Sequence, residues 1–200
     1  MITNHTQLLN ALIEKYGLKS YLEIGVQNPA NNFDRVKCEE KWGVDPCLSD
    51  LDKDNFILCG QDSDSFFAEH AGLKGVFDLI FIDGLHTAEQ VKRDFENSLR
   101  CLSDNGFIVI HDVLPENEEG TIIPRQTKQW WGDVYKWAMT IPEYKGIRWV
   151  TYNIDNGCMV IRKVENDKVF LMSHTIHPIT WETYLLDGKR VMNVTDEVEV

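Results

Sequence analysis

Long apolar runs are missing from this sequence, and positive charge is scarce. Its hydrophobic segments fall short of the roughly 20 residues that a membrane helix needs, and its 20 basic residues are outnumbered by 32 acidic ones. Nucleic acids and anionic membranes are both bound through clustered Lys and Arg side chains. The sequence therefore predicts no nucleic-acid partner and no membrane partner, and it favours a small-molecule ligand.

Cysteine pairs at the spacing of a metal or redox site are missing as well. The chain has five widely spaced cysteines and no C-x-x-C motif: Cys38, Cys47, Cys59, Cys101 and Cys158. An odd number at such spacing argues against a disulfide framework or a zinc site and predicts that most of the cysteines are buried thiols in a reducing compartment. The polar, amphipathic segment Met1–Gly17 is unlike a secretory signal. We therefore expect a cytoplasmic protein.

The sequence does contain an alternation of apolar strands and amphipathic helices. With 200 residues and 43% hydrophobic residues, it is long enough for one domain with a real core. Helices are predicted over Asn4–Tyr16, over Asp62–His70, and from Thr87 to the Asn105-Gly106 pair. Strands are predicted over Tyr21–Val26, Lys41–Val44, Phe56–Cys59, Val76–Ile82 and Phe107–Ile110. This order predicts an α/β fold with a Rossmann-like, doubly wound and mostly parallel sheet.

The pattern changes after residue 114. A long polar stretch, Pro115–Gln129, precedes a predicted helix over Asp133–Thr140. Two apolar segments then flank the turn signal Asp155-Asn156-Gly157 and predict an antiparallel C-terminal hairpin: Arg148–Tyr152 and Cys158–Arg162. A further strand is predicted over Val169–Met172. We expect one domain over residues 1–163 and an extension over 164–200, packed on that domain or on a partner subunit of a homo-oligomer.

Polar and glycine residues stand at the predicted carboxyl ends of the strands, where ligands bind in open α/β sheets. These residues are Glu23 and Gly25, Asp45, Gly60 to Asp62, Asp83 to His86, and His111-Asp112. Asp45 follows the second strand, 20 residues after Gly25, where an acid can accept both hydroxyls of a ribose. An Asp before Pro46 is equally typical of a turn or a helix N-cap.

The loop after the first strand lacks a phosphate-binding fingerprint. Gly25 is followed by Val26, Gln27, Asn28 and Pro29, so the G-x-G-x-x-G pattern is absent. A pyrophosphate needs that close backbone approach, so the loop argues against NAD and FAD. It fits a nucleoside that carries an amino acid instead of phosphates.

Five segments of the chain occur in a recognisable order. They are Tyr21–Val26, Gly43–Pro46, Asp62–Ala68, Phe77–His86 and Asn105–Asp112. This set resembles class I S-adenosylmethionine-dependent methyltransferases, and within them the family 24 group related to the sugar O-methyltransferases of macrolide pathways. The later segment Trp131–Lys136 and the Gly157 hairpin are similar to that group too, so the resemblance covers residues 18 to 163.

The resemblance implies an S-adenosylmethionine site at these strand ends. Its residues would be Glu23, Gly25, Val26, Asp45, Pro46, Asp62, Ser63 and Asp83. Gly25 would let the backbone approach the methionine portion, and Asp45 would hold the ribose hydroxyls. Asp62 and Ser63 would lie near the adenine, and Asp83 would face the methionine amino group or a metal. The sequence departs from many class I enzymes by carrying Gln27, Asn28 and Pro29 where they carry glycines.

The same strand ends supply candidate catalytic and metal-binding groups. His86 lies three residues after Asp83 and is a candidate general base, with Asp83 and His111 as further candidate catalytic residues; structural packing is the alternative for His86. Asp83 and Asp112 together could hold Mg²⁺, although the following residue, Val113, cannot coordinate it. A carboxylate pair without a metal is the alternative.

Three functions are compatible with these observations. The first is O-methylation of a sugar or another small hydroxyl compound; the second is a nucleotide-dependent oxidoreductase; the third is a non-catalytic binding module. The aromatic cluster Trp130, Trp131, Tyr135 and Trp137 could wall an acceptor pocket or belong to the core. Arg125 and Lys128 could meet an anionic acceptor or be solvated loop charges. His174 and His177 are interpreted as structural or surface residues.

Overall fold

Nine strands form one twisted sheet, which carries the helices on its faces. The computed structural model describes residues 1–53, 55–164, 170–171 and 178–200. The α-helices are α1 (His5–Tyr16), α2 (Ser63–Glu69), α3 (Ala88–Cys101), α4 (Val134–Ala138) and α5 (Trp181–Val191). Short 3₁₀ turns occupy Phe33–Arg35, Glu119–Thr121 and Ile141–Glu143.

The strands follow the predicted order, with additions at the edges. They are β1 (Ser20–Ile24), β2 (Glu40–Val44), β3 (Leu51–Lys53), β4 (Phe56–Cys59), β5 (Phe77–Ile82), β6 (Leu102–Ile110), β7 (Tyr144–Lys145), β8 (Ile147–Tyr152), β9 (Cys158–Lys163), β10 (Phe170–Leu171) and β11 (Val194–Thr195). The main sheet has the order β11-β8-β9-β6-β5-β1-β2-β4-β3, and β10 pairs with β7 in a separate ribbon. Five neighbours in its centre run parallel, and β9 runs antiparallel to both β6 and β8. The doubly wound, mostly parallel sheet with an antiparallel hairpin is thus confirmed.

Local capping explains where the two long predicted helices begin. The Asn4 side chain accepts a hydrogen bond from the Gln7 N–H at 3.0 Å, and Gly17 ends α1 in the left-handed conformation at φ 65°. The Thr87 hydroxyl accepts from the Gln90 N–H at 3.3 Å and starts α3. Both starts were expected from the sequence, because a cap depends on residues within one turn.

The predicted end of α3 is wrong. The helix stops at Cys101, and β6 begins directly at Leu102, so Asn105 and Gly106 lie inside a strand. Leu102 pairs with Phe77 before a shift in register, and the ladder resumes at Phe107. Gly106 is required there, because a Cβ atom would approach the Leu102 side chain to 2.7 Å and the Asp78 carbonyl oxygen to 2.9 Å. Pairing with β5 therefore overrides the local turn signal.

The C-terminal region joins the main sheet. β11 runs parallel to β8, and the Thr151 hydroxyl donates to the Met192 carbonyl at 2.8 Å. Helix α5, begun by the N-cap Thr180, packs its aromatic residue Tyr184 against Tyr135, with ring centroids 5.0 Å apart. The division of the chain at residue 163 stays a prediction. His174 and His177 lie outside the described residues, as do the ends of the strand predicted over Val169–Met172.

The two faces of the sheet bury separate apolar clusters. On one face, Leu22 and Ile24 of β1 belong to the cluster beneath α2, α3 and α4. On the other face, Tyr21 packs with Leu8, Leu9 and further residues of α1. The five cysteines are free thiols, as expected. Within the described ranges, no helix combines the length and apolar character that crossing a membrane would take.

Candidate active site

The central crevice opens between the neighbouring strands β1 and β5. The strand that follows β1 in the chain lies on one side of this pair, and the strand that follows β5 lies on the other side. The Asp83 N–H donates to the Ile24 carbonyl at 2.8 Å, so the two strand ends are in direct contact. Gly25 has φ 93°, and a Cβ atom there would lie 2.1 Å from the Asp83 carbonyl oxygen. Only glycine fits this crossing, which is the position where open α/β sheets bind ligands.

A cluster of two histidines and two aspartates lies at the carboxyl ends of β5 and β6. His86 Nε2 lies 3.3 Å from Asp83 Oδ1, and His86 Nδ1 lies 3.3 Å from Asp112 Oδ2. His111 Nδ1 lies 3.2 Å from the same Asp83 oxygen. The sequence-predicted groups His86, Asp83, His111 and Asp112 are therefore brought together by the fold. Asp112 has φ 59°, a left-handed conformation that is uncommon among non-glycine residues but that aspartate adopts more readily than most.

Charge coupling within this cluster shifts the pKa values of its members. Burial lowers the pKa of His111, but the carboxylates of Asp83, Asp112 and Asp155 have the larger effect and raise this pKa to about 10. The same balance of burial against Asp83 and Asp112 leaves the pKa of His86 raised. The pKa values of the two carboxylates shift in opposite directions. The histidines hold the pKa of Asp83 low despite its burial, whereas burial raises the pKa of Asp112. A split between adjacent acids is typical of functional sites.

Both ring nitrogens of His111 have acceptors. Nε2 lies 2.6 Å from the Asp155 backbone carbonyl, which can only accept, and Nδ1 faces the Asp83 carboxylate. The ring therefore donates at both ends and is an imidazolium, in agreement with its raised pKa. His86 differs, because its Nδ1 is buried and has no hydrogen-bond partner in the described structure. Asp112 Oδ1 is buried and unpartnered in the same way.

The segment before α4 closes over His86. The Asp133 N–H donates to the His86 carbonyl at 3.2 Å, and the Asp133 carboxylate accepts from the Ala88 N–H at 2.7 Å. Gly132, at φ 62°, lies so close that a Cβ atom would be 1.8 Å from the His86 carbonyl oxygen. Trp130 stacks on the His86 ring. The other three aromatic residues of the predicted cluster are buried in the core: Trp131, Tyr135 and Trp137.

Asp45, the expected ribose ligand, is held by the loop after β1. Its Oδ2 accepts from the Gln27 N–H at 2.9 Å, and its Oδ1 accepts from the Cys47 N–H at 2.7 Å. Each oxygen thus keeps a lone pair free, and the residue is only half-buried. Gln27 has φ 52°, so the loop bends without the glycines that many class I enzymes carry.

Glu23 lies deeper than the crevice surface. It is 2% exposed and accepts from the Tyr21 hydroxyl at 2.6 Å and from the Asn32 amide at 2.9 Å. Burial raises its pKa to about 7 against the effect of these hydrogen bonds. Asn32 in turn accepts from the Thr6 hydroxyl at 2.7 Å. Glu23 therefore ties β1 to the following loop and to α1.

The remaining predicted cofactor residues lie around the rim. Val26 is buried among apolar residues, so only its backbone can reach a ligand. Pro46 is exposed beside Asp45. Asp62 caps α2 by accepting from the Ser65 N–H at 2.9 Å, which lowers its pKa. The Ser63 hydroxyl accepts from the Gln90 amide at 3.1 Å and links α2 to α3.

Two participants were missed by sequence reasoning, Asp155 and Asn32, and a third, Trp130, was named only as a possible wall of an acceptor pocket or part of the core. Asp155 was assigned only to a hairpin turn, yet it contacts both His111 and His5, whose Nδ1 lies 2.6 Å from its carboxylate. Asn32 and Trp130 contact the site residues Glu23 and His86. The positive φ of 48° at Asp155 follows from the Asp-Asn-Gly signal, but its contacts depend on residues far away in the chain.

Part of the chain, including the ends of β5 and β6 at the crevice, is similar to a family of methyltransferases. Residues 30–113 match the model of methyltransferase family 24, described as a methyltransferase domain. The resemblance in sequence motifs is thereby confirmed over these residues.

Solved structures share the fold. An S-adenosylhomocysteine-bound methyltransferase from Podospora anserina, PaMTH1, is 19% identical with a TM-score of 0.57, over 80% of this chain and 78% of that one. An O-methyltransferase from Bacillus cereus in complex with S-adenosylhomocysteine is 16% identical with a TM-score of 0.52, over 81% and 82%. The MycE methyltransferase of the mycinamycin biosynthetic pathway, solved with Mg, S-adenosylhomocysteine and mycinamycin VI, is 16% identical with a TM-score of 0.53, over 80% and 49%. At these identities the likeness concerns the fold.

Proposed function

We propose that this protein transfers a methyl group from S-adenosylmethionine to a hydroxyl oxygen of a small molecule, with a sugar or a related hydroxyl compound as the acceptor. The observation that carries the proposal is the position of His86, between Asp83 and Asp112 at the mouth of the crevice. O-methyl transfer needs one proton acceptor beside the reacting oxygen and in-line positioning of the two substrates.

The donor groups present fit the cofactor. Asp45 is a half-buried carboxylate at the end of β2, oriented by two backbone N–H groups and with lone pairs left for ribose hydroxyls. Gly25 and Gln27 shape a loop without a phosphate cradle, which suits a nucleoside joined to methionine. S-adenosylmethionine, when bound, supplies an electrophilic methyl group on a sulfonium.

The residues also fit a divalent cation such as Mg²⁺. Asp83 and Asp112 offer carboxylate oxygens within one cluster with His86, and Asp112 Oδ1 is buried without a hydrogen bond, 3.5 Å from His111 Nδ1. Hard cations prefer such oxygens, and an unpartnered buried oxygen is costly unless something binds it. A cation held by Asp83 and Asp112 would stabilise negative charge on the acceptor oxygen. Mg in the mycinamycin-bound neighbour supports this part of the proposal.

His86 accepts the proton in this proposal. Its side chain is 20% exposed at the crevice, and its Nδ1 is buried 3.3 Å from Asp112 Oδ2 without a hydrogen bond. In this role His86 would take the hydroxyl proton, and S-adenosylmethionine, when bound, would supply the methyl group to the oxygen and leave as S-adenosylhomocysteine. His111, which donates at both ring nitrogens, acts on Asp83 and holds that carboxylate in place.

Binding is tested first. Isothermal titration calorimetry of S-adenosylmethionine and S-adenosylhomocysteine is run on the wild type, Asp45→Ala and a control in which an exposed edge-strand acid is removed, Asp52→Ala. We expect Asp45→Ala to weaken both ligands by about tenfold or more, equal to about 1.4 kcal/mol. The control should bind like the wild type, and NAD should not bind. Folded wild-type protein that binds neither compound would overturn the proposal.

Turnover is tested next with a panel of sugars and small hydroxyl compounds, with and without Mg²⁺. His86→Gln should keep its affinity for S-adenosylhomocysteine and lose about 100-fold or more in methylation rate. Asp112→Asn should lose the Mg²⁺ response. Equal rates for wild type and His86→Gln would exclude this histidine as the base.

A further inference from the structure

A second cavity lies at the opposite edge of the sheet from the candidate active site. It has a volume of about 600 Å³ and lies between the C-terminal end of α1 and the amino-terminal part of β6. Tyr16 and Leu18 line its helix side, and Phe107 lines its sheet side. The catalytic cluster sits at the other end of β6, beyond Ile110.

Three cationic side chains line this cavity in a protein with a net charge of −12. They are Arg148 of β8 and Arg162 and Lys163 of β9. Arg148 and Arg162 are direct cross-strand partners in the antiparallel hairpin, so their Cβ atoms lie on the same face about 5 Å apart. Like charges in this position repel each other and destabilise the pair.

The part of the chain that the structure describes offers no ion pair or hydrogen bond to either guanidinium group. Lys163 Nζ donates to the Leu102 carbonyl at 2.8 Å, which anchors it at the rim. Two acids also line the cavity. Asp78 accepts from the Lys19 N–H at 2.9 Å and from the Ser103 hydroxyl at 2.8 Å, and Asp104 is exposed.

The aromatic wall adds a planar, apolar surface. The Tyr16 and Phe107 rings lie 4.7 Å apart, and Tyr16 is 45% exposed. Guanidinium groups bind phosphate oxygens through paired N–H donors, and two on one face can share a single anion. Both arginines are exposed and also line an adjoining pocket with Glu199, and an anion held between them would offset their mutual repulsion.

We propose that this cavity binds a phosphate-bearing small molecule, held by Arg148 and Arg162 and flanked by Lys163 and Tyr16. The site is independent of methyl transfer, because it lies at the opposite ends of the strands. A bound anion would tie β8 and β9 to α1 and would stabilise the hairpin edge of the sheet.

Pyrophosphate at constant ionic strength is the probe, measured by calorimetry and thermal unfolding. The variants are Arg148→Gln, Arg162→Gln and their double variant, with Arg190→Gln as the matched loss of a surface arginine that is 75% exposed. We expect saturable binding to wild type and to Arg190→Gln with a Kd near 1 mM or below, about tenfold weaker binding to each single variant, and none to the double variant.

Unfolding without ligand adds a second readout. Since removal of one arginine relieves the repulsion, each single variant should unfold at or above the wild-type temperature. Pyrophosphate should stabilise the wild type and Arg190→Gln most, each single variant less, and the double variant not at all. S-adenosylhomocysteine affinity should be the same in all variants, which separates this test from that of the proposed function. Absence of saturable binding to the wild type, or equal binding to the double variant, would overturn the proposal.

Discussion

The indole of Trp130 lies parallel to the imidazole of His86, with ring planes 11° apart and centroids separated by 5.3 Å. Trp130 is fixed in turn, because its Nε1 donates to the Ile122 carbonyl at 2.9 Å. The segment before α4 thus restricts how the His86 ring can turn. The orientation of a base governs how closely it can approach a hydroxyl proton.

We therefore expect Trp130→Ala to lower kcat by about tenfold while S-adenosylhomocysteine affinity stays the same. Trp130→Phe keeps an aromatic face and should recover most of the rate. Steady-state kinetics that separate kcat from KM, together with calorimetry of the product, make the measurement. An unchanged kcat in Trp130→Ala would show that the stacking does not position His86.

Gly25→Ala should disrupt the junction between β1 and β5. The added Cβ atom would meet the Asp83 carbonyl oxygen at 2.1 Å, and the φ of 93° is unfavourable for alanine. We expect a loss of about 3 kcal/mol or more in the free energy of unfolding, measured by urea denaturation. Gly72→Ala is the control, since a Cβ atom there meets nothing within 4 Å. A loss no larger than in that control would contradict the close crossing.

Glu23 should make stability fall as the pH rises. Its pKa is raised to about 7 in the folded protein from 4.5, so the folded state binds more protons across this window. Its contribution is therefore complete below about pH 4.5 and is lost up to about pH 7, by about 3 kcal/mol. Glu23→Gln keeps an acceptor for the Tyr21 hydroxyl and cannot ionise.

The measurement is urea unfolding of the wild type and Glu23→Gln at several pH values between 4.5 and 7.5. The variant should lose less stability across this range than the wild type. Glu14→Gln, which changes an exposed acid of α1, should follow the wild type. A Glu23→Gln profile as steep as that of the wild type would show that Glu23 ionises without a penalty.

The Thr87 hydroxyl caps the start of α3 beside the Asp133 carboxylate, which accepts from the Ala88 N–H. Thr87→Ala removes the acceptor of the Gln90 N–H and should lower the free energy of unfolding by about 1 kcal/mol. Thr87→Ser retains the hydroxyl and should cost less than half of that. Chemical denaturation compares the three proteins, and equal stability of the alanine and serine variants would refute the capping role.

Local signals predicted the elements that depend on neighbouring residues. The apolar run of β5, the caps Asn4 and Thr87 and the Asp-Asn-Gly turn are complete within a few residues. The end of α3 was missed because the pairing of Leu102 with Phe77 joins positions distant in sequence. Helix α5 was missed because its buried side, seen in the contact between Tyr184 and Tyr135, exists only once α4 is in place.

The candidate site was likewise predictable from the sequence only in part. Asp83, His86, His111 and Asp112 were expected together, because parallel strands bring their carboxyl ends to one edge. The contact of Trp130 with His86 spans 44 positions, as does that of Asp155 with His111, and no short-range pattern marks such pairs.

The strand β11 has a consequence for handling the protein. The segment Asn193–Thr195 pairs with the outer edge of β8. There the Thr151 N–H donates to the Asn193 carbonyl at 3.1 Å, and the Asn153 N–H donates to the Thr195 carbonyl at 2.9 Å. A chain shortened before Met192 would leave these N–H groups of β8 without hydrogen-bond partners at the edge of the sheet. Bare strand edges recruit other strands, so such a fragment should self-associate and precipitate even though every proposed catalytic group is still present.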